Sequence, residues 1–342
     1  PYNDAESQGT FWVNLPDFAS STQSLQLRRG VGTSTNGAAA FGDRLNLLTD
    51  SFAEEAYAEI SSSVGSFSTL RNNLKFSTGV MNDQIEVSGR LSRISSDGYI
   101  ERAAYQLESY IMQGEYRTDK PHIKALIIGG EEITYQSWYG FVPATLGAIG
   151  VDNNLETNRR FNIAGIQFDN EGNFEGFYEN QVDNYKQDHF QLHWNQQWTP
   201  NWNSNIAVYY TRGRGFFEEY VDDWYYTNVL FASDSQLSFI GRDNFDLNGT
   251  TISSTDYTRR RWLDNDLYGT IFSANYQKES TEVILGGGYN IYKGDHFGEV
   301  IWTQFNSGNT YNERYYEDDA TKTDFNGFAK LNQNLSKKWS VF

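Results

Sequence analysis

The sequence predicts an all-β chain: an antiparallel transmembrane β-barrel that crosses a membrane on strands, incomplete, with about half the strands of a closed wall. Three observations carry this expectation. Side chains alternate with period two along most of the chain. After the first hairpin, tight turns and long irregular connections follow one another in regular succession. Aromatic residues make up 16% of the 342, with 30 glycines and only 5 prolines, which suits long strands, tight turns and interfacial rings.

Taken in order, alternation begins near Glu54, with strands expected at Ala56–Val64 and Leu70–Val80 around Gly65-Ser66-Phe67. Gln84–Ile94 has the clearest pattern: Ile85, Val87, Gly89 and Leu91 on one face, Gln84, Glu86, Ser88, Arg90 and Ser92 on the other. An apolar face and a charged face suit lipid outside and water inside, yet a soluble sandwich strand would alternate as well. Further strands are expected at Leu107–Arg117, His122–Glu131, Asp188–Trp198, Trp202–Arg212, Asp266–Gln277, Glu282–Tyr292 and Thr323–Asn334. Asn82-Asp83, Thr118–Pro121, Thr199–Asn201, Glu279-Ser280 and Ser336-Lys337 make short turns. Between them lie long connections near Ser96–Gln106, Glu132–Lys186, Gly213–Asn265 and Lys293–Thr321. Compact soluble domains seldom carry irregular connections beyond ~15 residues, whereas outer-membrane barrels have short turns at one end and long loops at the other. About ten strands and the start of another fit in the chain, under half of the ~22 that close a large barrel of this kind.

Composition excludes several alternatives. A net charge of -17 leaves no basic face for nucleic acid and disfavours a strongly anionic ligand. With no cysteine there is neither a disulfide framework nor a thiolate metal site. The apolar fraction of 38% and mean hydropathy of -0.64 resemble a soluble protein, and no run approaches the ~20 apolar residues of a spanning helix. A barrel wall has the same statistics, because only alternate residues meet lipid. Pro1-Tyr2-Asn3-Asp4 has neither the basic start nor the apolar core of a signal peptide, and Trp339–Phe342 breaks off inside an alternating run. The chain is therefore expected to be a piece of a longer exported protein.

Ser24–Thr49 is of another kind. Leu25 and Leu27, then Leu45, Leu47 and Leu48, flank a bend of small residues with Gly30, Gly32, Gly37, Gly42 and Ala38–Ala40. Gly32 and Gly37 have P-loop spacing, but Ala38 stands where the lysine is needed; Gly30-Val31-Gly32 lacks the third glycine of a dinucleotide fingerprint. From these residues alone a glycine-rich hairpin is sufficient. The run RRGVGTSTNGAAAFGDRLNL (29–47 with Arg28) resembles the end of the plug domain in TonB-dependent outer-membrane receptors, particularly those of the Bacteroidetes type. SDGYIERA, ITYQSWYG, ENQVDNYKQDHFQLHWNQ and RRRWLDND, beginning at Ser96, Ile133, Glu179 and Arg259, resemble later segments of the same receptors. Asp43-Arg44 departs from the small residues expected there.

The resemblance implies a division into 1–50, the C-terminal part of a plug, and 51–342, the N-terminal half of a barrel with long extracellular loops. It implies a bacterial outer-membrane location, lipid and lipopolysaccharide around the wall, and an inner-membrane TonB complex acting through a motif before Pro1. It also implies active uptake of a scarce small ligand, a ferric siderophore being the commonest cargo. Arg29, Gly30, Gly32 and Gly37 are then the plug-turn residues, holding geometry rather than supplying chemistry.

Aromatic residues cluster in the long connections: Tyr135, Trp138, Tyr139 and Phe141; Trp224, Tyr225 and Tyr226; Trp302, Phe305, Tyr311, Tyr315 and Tyr316. Such rings suit catecholate, aromatic or sugar ligands, or else brace the loops and form a girdle. Arg259-Arg260-Arg261 is able to meet an anionic ligand or lipopolysaccharide phosphate, or to pair with loop carboxylates. From these sets Tyr135, Trp138, Tyr139, Trp224, Tyr225, Arg260 and Trp302 are the candidate ligand-binding loop residues.

His189 and His193 share a strand face with Gln191 between them, but at ~13 Å they are too far apart to chelate one ion. Glu131-Glu132 and Glu317-Asp318-Asp319 lack the spacing of a calcium loop and read as solvated loop acids. No cofactor or resident metal is expected. No nucleophile-base pair or paired acid site is present, so an enzyme is not expected. The rival reading is a soluble or surface-exposed all-β carbohydrate-binding protein that stacks sugars on the same rings.

Overall fold

A computed structural model describes residues 5–7, 9–28, 44–49, 53–140, 146–147, 149–306, 308, 311–336 and 339–341. Its dominant element is an 11-stranded antiparallel sheet. The strands are β3 (Tyr57–Gly65), β4 (Thr69–Ser77), β5 (Ile85–Ser96), β6 (Tyr105–Arg117), β7 (Pro121–Tyr135), β10 (Val182–Thr199), β11 (Trp202–Val221), β14 (Tyr257–Lys278), β15 (Thr281–Thr303), β16 (Glu313–Ser336) and β17 (Trp339–Val341). Each pairs with its neighbour in sequence order, and β3 and β17 lie at the two edges, so the sheet is not closed. The ribbon of β1 (Thr22–Arg28) and β2 (Arg44–Thr49) stands apart from it. β8 (Ile166–Phe168) with β9 (Phe174–Phe177), β12 (Phe245–Leu247) with β13 (Thr250–Ile252), and the short helix α1 (Leu155–Arg160) belong to the long connections.

The alternation in β5 sets the orientation of the wall. Arg90 is 1% exposed, whereas Leu91 beside it is 51% exposed, and Glu86, Ser88 and Ser92 are buried with Arg90. A soluble sandwich would bury Val87 and Leu91 and leave the arginine wet. Here the polar face is covered and the apolar face is open, as in a membrane barrel around a filled interior.

After the first hairpin, whose turn at residues 66–68 lies at the loop end, the tight turns lie at the other end. Residues 118–120, 200–201 and 279–280 join β6–β7, β10–β11 and β14–β15, and Asn82 and Asp83 both take the positive φ that a tight turn demands. At the loop end lie 136–181 and 222–256. The strands run further toward that end than the alternation indicates. β7 continues to Tyr135, β10 begins at Val182, β11 reaches Val221, β14 begins at Tyr257, β15 reaches Thr303 and β16 begins at Glu313. Several residues expected in the long connections are therefore strand residues: Glu132, Arg259–Arg261, Trp302 and Glu317–Asp319. Adjacent strand residues point to opposite faces, so Glu131 and Glu132 cannot share an ion, and the arginine run straddles the wall.

Candidate functional site

Three layers of side chains organise the molecule: an outward apolar band, a segment docked on the inner face, and a packed cap of loops. On the outward face of β10, β11 and β14, register aligns Leu192 with Val208 and Thr270, and Trp194 with Ile206 and Phe272. Rings bound this band at both ends. Toward the loops, Phe190, Tyr210 and Tyr268 stack at 5.9 and 4.8 Å between centroids. The Tyr110 and Tyr210 hydroxyls donate to Asp188 (2.8 Å) and Asp266 (2.5 Å) just beyond that belt. Toward the turns, Trp194 meets Trp198 at 6.2 Å and Trp202 meets Tyr276 at 4.8 Å. From Trp202 to Tyr210 at ~3.3 Å per residue is ~26 Å along the strand, or ~20 Å at a ~40° tilt, near the ~25 Å apolar band of outer-membrane barrels.

The docked segment comprises two 3-10 turns, Trp12–Asn14 and Phe18–Ser21, and the β1–β2 ribbon. Leu15 and Phe18 bury against Ile111, Leu126 and Ile128 of β6 and β7, with Leu47 packed beside them. These three wall residues point inward and are apolar because they meet protein there. Between the turns, Asp17 sits at φ 53, a left-handed conformation that Asp tolerates better than most residues. Its carboxylate accepts from Arg71 Nη2 (3.0 Å), Arg90 Nη1 (3.2 Å), Asn73 Nδ2 (2.9 Å), Ser92 Oγ (2.5 Å) and Ser20 Oγ (2.6 Å). Arg90 also donates to Ser21 and Ser109. Burial would raise the Asp17 carboxyl, but the hydrogen bonds from Ser20, Ser92, Asn73 and Arg71 together hold it below its ordinary value. Gly130 of β7 permits the close approach: a Cβ there would lie 2.6 Å from Pro16 Cδ and 2.8 Å from the Asn14 carbonyl oxygen. Lys124 adds a second tie, donating to Thr49 Oγ1 at 3.0 Å while pairing with Glu115 at 2.7 Å.

The cap has two apolar clusters. Leu146, Phe161, Ile163, Ile166, Phe168 and Tyr225 form one; Val221, Leu237, Ile240, Tyr257 and Val300 form the other. Asp222 joins the two long connections, accepting from the amides of Phe168 (2.6 Å) and Tyr225 (2.7 Å). Burial outweighs those bonds and pushes its carboxyl up to about 7.

The nominated loop residues occupy distinct places. Tyr135 closes the end of β7, buried, its hydroxyl donating to the Tyr178 carbonyl at 2.6 Å. Trp224 and Tyr225 pack on Phe168 at 4.7 and 5.9 Å inside the first cluster. Trp302, in β15, stacks on Tyr220 at 6.0 Å. Arg260, in β14, pairs outward with Glu218 at 2.7 Å and lies over the Phe216 ring; Arg259 pairs with Glu219 (2.8 Å) and Asp234 (3.2 Å). Trp138 and Tyr139 are exposed neighbours with centroids 5.9 Å apart. Arg29, Gly30, Gly32 and Gly37 lie outside the described residues.

A cavity of about 310 Å³ lies between residues 5–15 and the inner faces of β7, β10, β11, β14 and β15. None of the seven nominated loop residues lines it; Glu132, Asp183, Tyr185 and His189 do. His189 accepts or donates at both nitrogens, to Thr211 (2.9 Å) and Gln187 (3.1 Å), and His193 meets Gln191 at 3.0 Å. Among the described residues no group of three His, Cys, Asp or Glu is placed to hold a metal ion. The Asp17 contacts and the cavity were beyond sequence reasoning, because both join residues distant in the chain.

No protein-family model matches the chain, and no curated protein does. Solved structures do. The pyoverdine outer membrane receptor FpvA from Pseudomonas aeruginosa PAO1, bound to pyoverdine, aligns with a TM-score of 0.62 at 10% identity, over 93% of this chain and 44% of that one. The copper transporter OprC gives 0.60 at 10% identity, over 93% and 41%. The ferric citrate transporter FecA, unliganded, gives 0.53 at 10% identity, over 94% and 48%. At this identity the likeness is one of fold, and the chain spans less than half the length of each.

Proposed function

We propose that this chain is part of a TonB-dependent outer-membrane receptor that takes up a scarce small ligand, a ferric siderophore being the first class to test. The observation that carries the reading is the segment Asn14–Ser21 held against the inner face of the wall through Asp17. A passive porin needs an open interior; an obstructed one calls for energised displacement. In this reading residues 1–50 end a plug, 51–342 begin a barrel, and further strands would pair with the edges at β3 and β17. The band between Trp202 and Tyr210 meets lipid, and the charges beyond it meet lipopolysaccharide. Trp138 and Tyr139 are exposed on the loop side and would contact the ligand, while Tyr135, Trp224, Tyr225, Arg260 and Trp302 would act through the shape of the cap. The likeness of fold to FpvA, OprC and FecA supports the reading. The exposed Leu91 and buried Arg90 of β5 count against the soluble carbohydrate-binding alternative.

The test is uptake of radiolabelled ferric siderophores by cells with and without the gene, and with the inner-membrane energy source intact or collapsed. Loss of uptake on deletion and on collapse is expected. Uptake that persists without the energy source would refute active transport.

A further inference from the structure

Glu132 is 3% exposed, lies at the inner face of β7, and lines the cavity described above. Its Oε2 has no hydrogen-bond partner among the described residues. Asp183 lines the same cavity as its diagonal neighbour, since register sets Tyr185 opposite Glu132 and Asp183 opposite Thr134. The third acid of the lining, Glu6, is paired with His296 at 3.1 Å. No lysine or arginine is among the described residues lining the cavity. A buried carboxylate oxygen without donor or cation is costly, and such a group either holds a proton or awaits a counter-charge. Both acids stand beyond the tyrosine belt, outside the apolar band. Burial, and after it the charge of Asp183, outweighs a hydrogen bond from Thr134 and pushes the Glu132 carboxyl up to about 8; burial pushes Asp183 up to about 6.

The remaining walls decide what kind of cation fits. Phe11, Val13, Leu15, Leu263 and Leu267 supply carbon, and Tyr185 and Tyr292 add aromatic rings, whose π-systems attract a cation. For a bare metal ion, no three His, Cys, Asp or Glu among the described residues are placed to hold it. A volume of about 310 Å³ is at the small end of ligand sites. We propose that this cavity binds a small organic cation, a protonated amine or guanidinium on an apolar body, with Glu132 and Asp183 as its counter-charge.

The ligand's role as cargo rests on the uptake reading; titration of purified protein is indifferent to transport, so either fails without the other. The full chain in detergent is titrated calorimetrically at pH 8.5 with tryptamine and with its neutral isostere tryptophol. Tryptamine is expected to bind at least about tenfold more tightly than tryptophol, a difference of about 1.4 kcal/mol. E132Q and D183N are each expected to weaken tryptamine about tenfold while leaving tryptophol unchanged. D119N, in the turn at the opposite end, is expected to change neither. Equal affinity for the two probes, no tryptamine binding by folded protein, or E132Q binding tryptamine like the parent would each overturn the proposal.

Discussion

Asp17→Asn tests the docking of the inner segment most directly. Asparagine tolerates the left-handed backbone at this position and nearly matches the carboxylate in shape, so the substitution removes mainly the charge. Arg90 is 2% exposed in its side chain and Asp17 8%, so their contact is a buried ion pair, whose disruption costs roughly 3–5 kcal/mol. Arg71 is 34% exposed and solvent screens much of its share. Arg90 retains Ser21 and Ser109 as acceptors, which places the expected loss at the lower end, about 3 kcal/mol. That is roughly two decades in the opening equilibrium of the segment. Hydrogen exchange reads it directly, because the Phe18 and Ser20 amides are bonded within the turns to Leu15 and Asp17 carbonyls. Their protection is expected to fall about a hundredfold in D17N, with strand amides of β10 and β11 unchanged. Protection equal to the parent would refute the idea that charge holds this segment.

Acid gives an independent reading of the same contact. The folded carboxyl lies below its ordinary 3.8, so its contribution is whole above that value and is lost as pH falls through the lower, folded one. Protection at Phe18 is thus expected to be flat from pH 7 to 5 and to collapse only in stronger acid. G130A is expected to displace Pro16 and expose the segment to protease, at a cost of about 1–3 kcal/mol; unchanged cleavage would count against the close approach. I206R, mid-band and outward, is expected to lower folding into lipid vesicles by about 2–4 kcal/mol, read as loss of heat-modifiable migration, whereas Y210F is expected to cost under about 1 kcal/mol. Asp222 is raised in the folded cap, so its contribution is present in acid and is lost as pH climbs through about 7. Proteolysis between residues 149 and 177 is expected to be faster at pH 8.5 than at pH 6, and D222N is expected to abolish that difference.

The strands were legible where only one face is wet. Between the ring belts, period two survives in Leu192 and Trp194 or Ile206 and Val208, because lipid-facing and interior positions differ in polarity. Above the outer belt both faces are polar, so Gly213-Arg214-Gly215, Gly294-Asp295 and Glu317-Asp318-Asp319 look like loop although they are paired strand. The same absence of contrast made Arg260 and Trp302 look like loop residues. Glycine-rich turns and aromatic clusters were visible as composition. That Trp224 and Tyr225 pack on Phe168 was not, since the partner lies in a different connection. Asp17 gave no local signal either: its donors are supplied by β4 and β5, more than fifty residues on.

The strands lengthen steadily, from 9 residues in β3 to 15 in β7, 20 in β11 and 24 in β16. With the tight turns of the longer strands gathered at one end, the surplus rises at the other, so the edge slopes from a low sill at β3–β5 to a tall parapet at β14–β16. The described wall thereby has a low side and a high side, and backbone length alone sets the difference before any side chain is considered.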